Sequence, residues 1–108
     1  RLTVVGDEVV AAYKNVPEED DFRTYAALDA DLFTLTPDRE MSDIAVRAVH
    51  VQGVNFGGVD ILQYPNGRLY LLEANYPCYF ATAQDAIDVD ISGAIVDYLA
   101  SRASNEIA

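Results

Sequence analysis

Apolar residues fall in short runs along most of the chain, and nearly every run ends at a turn signal. Leu2-Thr3-Val4-Val5 and the run from Glu8 to Tyr13 are joined by Gly6-Asp7. A two-residue connection with glycine at a position that accepts positive φ predicts a β-hairpin of Arg1–Val5 against Glu8–Tyr13. The stretch from Val16 to Asp21 contains Pro17 and four consecutive carboxylates, Glu18 to Asp21. Like charges repel, so this reads as a solvated loop. Phe22–Ala27 predicts a short third strand, while Phe33–Leu35 is too short to classify. The period then becomes helical. Thr36 reads as the N-cap, Pro37 as the first helical residue, and Asp38 and Glu40 as acids at the positive end of the dipole. Met41, Ile44, Ala45, Ala48 and Val51 form one apolar stripe, and Gly53 reads as the stop. Asn55–Gln63 and Leu69–Asn75 predict two strands around Pro65-Asn66-Gly67-Arg68, with Asn-Gly a strong hairpin signal. Residues 76–87 have no regular period. A last helix is predicted from Asp90 to Arg102, burying Ile91, Ala94, Ile95, Tyr98 and Leu99. The expected fold is α+β, an antiparallel sheet of hairpins with two flanking helices, in a single domain over residues 1–108.

Composition narrows the function classes. The 108 residues suit one domain, and 51% hydrophobic with 23% charged residues is a globular balance. Asp and Glu number 18 against 7 Lys and Arg, a formal net charge of -11. That excess argues against phosphate-driven nucleic-acid binding and against adsorption to an anionic membrane. The single cysteine, Cys78, rules out an internal disulfide and a polycysteine zinc site, so a reducing cytoplasm is the expected compartment. Nothing resembles a signal peptide or a membrane span. The chain opens at Arg1 directly on a strand-like run, without methionine or polar lead-in, which predicts part of a longer polypeptide.

Candidate chemistry lies in the second hairpin. With Asn66-Gly67 as the two central turn residues, residue i faces residue 133 minus i, so Leu62 faces Leu71 and Asp60 faces Glu73. Asn75 shares the face of Glu73, about 7 Å further along the strand. Two carboxylates opposite one another repel. Their neighbours Val59, Ile61, Leu62, Leu71 and Leu72 are apolar, which predicts poor solvent screening. Such a pair needs a proton or a cation. Oxygen donors without His or Cys favour Mg²⁺ or Mn²⁺ over zinc. The residues alone leave three readings open: a metal site, two solvated acids, or a proton-sharing pair.

Further motifs carry a resemblance. Arg1-Leu-Thr-Val-Val-Gly-Asp-Glu-Val-Val-Ala-Ala, Asp21-Phe22-Arg23, Gly58-Val59-Asp60-Ile61-Leu62, Leu72-Glu73-Ala74-Asn75 and Ile91-Ser-Gly-Ala-Ile-Val-Asp-Tyr-Leu stand in the order seen in ATP-grasp ligases. The chain is most similar to the RimK-type group, over nearly its whole length. It resembles the C-terminal portion of that family's catalytic unit. The resemblance implies an ATP- and Mg²⁺-dependent carboxylate–amine or carboxylate–thiol ligase that works through an acyl phosphate. It implies Asp60, Glu73 and Asn75 as metal ligands and Arg23 as the arginine that stabilises the transferred phosphoryl group. It puts Arg1, Arg23, Thr24 and Tyr25 on the nucleotide side. It also implies that the adenine-binding segment and phosphate-binding lysines precede these residues, so this piece alone is expected to lack ligase activity.

The chain departs from the family pattern at two places. Thr24-Tyr25-Ala26-Ala27-Leu28-Asp29 stands where Ser-Asn and Arg-Gly-Gly are expected, and Tyr76-Pro77-Cys78-Tyr79-Phe80 stands in place of Ser-Pro-Gly. Both segments border the acceptor side in the family, so the carboxylate donor and the nucleophile stay open. The alternative function is a non-catalytic binding domain that keeps the ATP-grasp fold, although the retained Arg23, Asp60, Glu73 and Asn75 argue for the ligase. An apolar sheet face left without the rest of the protein would favour homo-oligomers. His50 reads as a residue near a helix C-terminus and Cys78 as a small residue lining a loop. Tyr76, Tyr79 and Phe80 read as core packing or an acceptor pocket, and Gly57-Gly58 as a place of close backbone packing.

Overall fold

A computed structural model describes residues 1–16, 31–78, 80, 84–85 and 87–107. Its elements run β1 (Leu2–Val5), β2 (Glu8–Val16), β3 (Asp31–Thr34), α1 (Arg39–His50), β4 (Phe56–Gln63), β5 (Leu69–Asn75) and α2 (Ile91–Ile107). The strands form one sheet in the order β3-β2-β1-β4-β5, and every neighbouring pair is antiparallel. This is the expected α+β class. Most of the acidic loop, the predicted strand Phe22–Ala27 and Tyr79 lie outside the described residues. The unclassified stretch around Phe33 belongs to β3, which pairs Tyr13 with Thr34.

One face of the sheet packs on α1. Leu2, Val4, Ala12 and Val59 meet Met41, Ala45, Ala48 and Val49 in a buried core. The helix differs from expectation at both ends. Its N-cap is Asp38, whose carboxylate accepts from the Met41 amide at 2.9 Å, so the helix starts three residues after Thr36. Aspartate is the stronger competitor because its charge also meets the positive end of the dipole. The buried stripe ends on Val49; Val51 lies past the last turn and is 83% exposed. Gly53, at φ +77, does close the helix, its amide donating to His50 O at 2.9 Å.

The second helix is longer than predicted and begins after Asp90, whose carboxylate accepts from the Gly93 amide. Ile91 is fully buried and Ala94, Ile95 and Tyr98 are half-buried, but Leu99 is exposed. α2 meets the sheet near the β1–β2 turn, where the Tyr98 ring covers Gly6. A Cβ at Gly6 would stand 2.7 Å from that ring, and the backbone there is left-handed (φ +66). Glycine is therefore required twice at this turn.

The β4–β5 turn differs from expectation and sets the register at the site. The Gly67 amide donates to Tyr64 O at 2.9 Å, Tyr64 N donates to Arg68 O at 2.9 Å, and Gly67 has φ +87. The loop is thus three residues, Pro65-Asn66-Gly67, a type I turn followed by a left-handed glycine, not the two-residue turn. Leu62 accordingly pairs with Tyr70 rather than Leu71. A bulge then falls between Asp60 and Ile61, with Leu72 as the extra residue on β5, and it restores Asp60 opposite Glu73. Two one-residue errors cancel.

Candidate functional site

The sheet face opposite α1 carries the polar residues. Pairing of β1 with β4 matches Leu2 to Val59 and Thr3 to Gly58, which brings Arg1 beside Asp60. On the other side Arg1 N donates to Tyr13 O at 2.8 Å, and Tyr13 N donates to Arg1 O at 3.0 Å. A bulge at Val10 in β2 sets that match, because β2 slips by one residue between Val4 and Thr3. Tyr13, Arg1, Asp60 and Glu73 therefore make one row across four strands. Ala11, Thr3, Gly58 and Asn75 make the next. Asp60, Glu73 and Asn75 share a face, as expected from strand alternation.

Asp60 already has a cationic partner. Arg1 Nε donates to Asp60 Oδ1 at 2.7 Å and Nη2 to Oδ2 at 3.2 Å, a forked pair in which each side chain is 17% exposed. Burial opposes the charge on Arg1, but hydrogen bonding to Asp60 and its negative charge outweigh that, holding the guanidinium above its ordinary range. Gly58 makes the room. A Cβ there would lie 2.6 Å from Arg1 Nη1 and 2.8 Å from Cys78 Cβ. A Cβ at Gly57 would press on Asn75 O at 2.9 Å, so both glycines do serve close packing.

The surroundings are less apolar than the flanking residues suggested. β5 is the sheet edge, Leu71 and Leu72 are about half exposed and Glu73 is exposed, so water reaches this side of the pair. Tyr13 and Cys78 form the dry side. Burial raises the Tyr13 phenol, and burial likewise raises the Cys78 thiol, with nearby Arg1 pulling the other way in each. His50 is apart from this face: its Nε2 donates to Gly6 O at 2.8 Å and pins the β1–β2 turn to the end of α1. Phe56 stacks edge-on with Tyr76 and Phe80, at 6.4 and 5.9 Å between ring centres.

Arg23, Thr24 and Tyr25 lie outside the described residues. Among those described, no three His, Cys, Asp or Glu side chains group around a common metal position. What is present is two carboxylates and an amide on one face, hard oxygen donors of the number Mg²⁺ takes from protein before water and phosphate complete its shell. The Arg1–Asp60 pair was not legible from the chain. Parity within the first hairpin would have placed Arg1 by Ala12, and nothing local announces the β1–β4 neighbourhood.

Comparison with known proteins agrees with this architecture. The RimK-like ATP-grasp domain profile matches residues 1–99. A probable alpha-L-glutamate ligase of Stutzerimonas stutzeri (strain A1501) is 37% identical over 101 residues, covering 92% of this chain and 33% of that protein. One from Rhodopirellula baltica (strain DSM 10527 / NCIMB 13988 / SH1) is 32% identical, covering 94% of this chain and 25% of that protein. The chain thus spans a third or less of these two relatives. Among solved structures, the ATP-grasp ligase PsnB complexed with a phosphomimetic variant of its minimal precursor, Mg and ADP superposes with a TM-score of 0.77 at 30% identity. That match covers 94% of this chain and 32% of PsnB. With a polar row on the sheet face opposite α1, two flanking helices and a profile match over nearly its full length, this chain belongs to the RimK-like ATP-grasp domain family of ligases.

Proposed function

We propose that this chain is the C-terminal lobe of an ATP-grasp ligase, one folding unit that supplies the metal- and phosphate-binding side of the catalytic site. The whole enzyme would activate a carboxylate as its acyl phosphate, using ATP, and pass the acyl group to an amine or thiol, in the cytoplasm. The observation that carries this reading is that Asp60, Glu73 and Asn75 share the sheet face opposite α1. Asp60 and Glu73 would hold Mg²⁺ or Mn²⁺ through carboxylate oxygens and Asn75 through its amide oxygen. A divalent cation held there neutralises charge on the ATP phosphates during phosphoryl transfer. Arg23 would stabilise the transferred phosphoryl group, with Arg1, Thr24 and Tyr25 on the nucleotide side. The relatives' names favour glutamate as one substrate, and the precursor peptide bound in a PsnB complex favours a peptide as the other. The departure at Tyr76-Pro77-Cys78 bears on which acceptor this chain takes. An apolar edge at β5 also suits association with a second copy.

The test is a Mn²⁺ titration of the ¹⁵N-labelled chain, with and without ADP, followed by paramagnetic broadening of amide signals. Broadening confined to Asp60, Glu73 and Asn75, and lost in Glu73→Gln, supports the metal site. Uniform broadening, or none at these residues with ADP present, counts against it.

A further inference from the structure

Arg1 and Asp60 form the best-defined polar contact on the site face, and that contact uses both oxygens of a carboxylate assigned to a metal. The forked geometry matters. Nε and Nη2 each take one oxygen, so the guanidinium sits where a cation approaching Asp60 would sit. Two cations at one carboxylate repel, and at 17% exposure water screens that repulsion poorly. Arg1 also has dedicated space: the bare backbone of Gly58 beneath it and Cys78 beside it. Glu73 stands opposite Asp60 but is exposed, so the row reads as one carboxylate held by an arginine and one facing water.

We propose that Arg1 is a positioning residue that acts as a stand-in cation. It holds the Asp60 carboxylate in the metal-free protein and is displaced from it when Mg²⁺ binds, leaving the guanidinium to pair with another anion. This rests on Asp60, Glu73 and Asn75 being the metal ligands. It adds that the divalent cation must win Asp60 from Arg1, which weakens metal binding in the absence of nucleotide.

Mn²⁺ affinity of the 108-residue chain, read by electron paramagnetic resonance of the free ion, tests this in wild type, Arg1→Gln and Arg1→Lys. Removing the competing partner is expected to tighten binding in Arg1→Gln by about fivefold, the equivalent of the roughly 1 kcal/mol that an ion pair of this exposure contributes. Arg1→Lys, which keeps the charge but not the fork, is expected to fall between the two. In the wild type, saturating Mg²⁺ is expected to shift the Arg1 Nε–Hε signal and remove its protection from exchange. Unchanged or weaker binding in Arg1→Gln would overturn the proposal, since Arg1 would then be organising Asp60 for the metal. So would an Nε–Hε signal that stays put while the amides of Asp60 and Glu73 report saturation. No response at those amides in any of the three proteins would overturn the metal site itself, and this inference with it.

Discussion

Replacing Gly58 with alanine tests the packing that brings Arg1 to Asp60. Gly58 is not in the left-handed region, so the substitution probes space and not backbone strain. The new methyl would stand 2.6 Å from Arg1 Nη1, 3.1 Å from Arg1 Cδ and 2.8 Å from Cys78 Cβ. The Arg1 end is flexible and escapes by leaving Asp60, at a cost of about 1 kcal/mol for a pair of this exposure. Cys78 Cβ is tied to its backbone and cannot swing away, and overpacking of that kind costs about 1–3 kcal/mol. The sum, about 2–4 kcal/mol, is a large part of the roughly 5–15 kcal/mol that stabilises a domain. It corresponds to a drop in Tm on the order of 10–20 °C. Urea unfolding of wild type, Gly58→Ala, Arg1→Ala and the double variant would measure it. With Arg1 already truncated, the cost of Gly58→Ala is expected to shrink by about 1 kcal/mol. A cost under about 0.5 kcal/mol in the wild type, or the same cost in both backgrounds, would refute the reasoning.

Two further outcomes follow from the same structure. Asp38→Ala removes the carboxylate that accepts from the Met41 amide, and should cost about 1 kcal/mol of stability, whereas Thr36→Ala should cost almost nothing; urea midpoints for the two variants compare the caps directly. Burial holds the Cys78 thiol above its ordinary range, so the folded state binds its proton more tightly than the unfolded state does. The stability linked to that group is intact below the unfolded thiol value, about 8.5, and is lost as pH rises through the higher folded value. Alkylation by iodoacetamide at about pH 8 should accordingly be at least about tenfold slower in the folded chain than in urea, and equal rates would show that the thiol is open.

Local features were legible because they are decided within a few residues. Gly6-Asp7 set the first hairpin, Leu69–Asn75 emerged with the bounds its alternation predicts, and Gly53 closes α1 as its flexibility suggests. The misreadings are local competitions between near equals: Asp38 outbids Thr36 as a cap, and Pro65-Asn66-Gly67 makes a three-residue loop where Asn-Gly alone suggests two. The Asp60–Glu73 match survived that last error only because a bulge at Leu72 compensated it.

The sequence by itself determined the α+β class, the main hairpins and helices, and the shared face of Asp60, Glu73 and Asn75. Turn chemistry and side-chain period act over a few residues and are written in order along the chain. Only the tertiary structure decided that β1 lies between β2 and β4, with Arg1 and Asp60 in one row although 59 positions separate them. That choice comes from burying Leu2, Val4, Ala12 and Val59 together under α1, a sum over the whole core that no local stretch encodes. The same choice turned two residues with unrelated surroundings in sequence into one ion pair at the site.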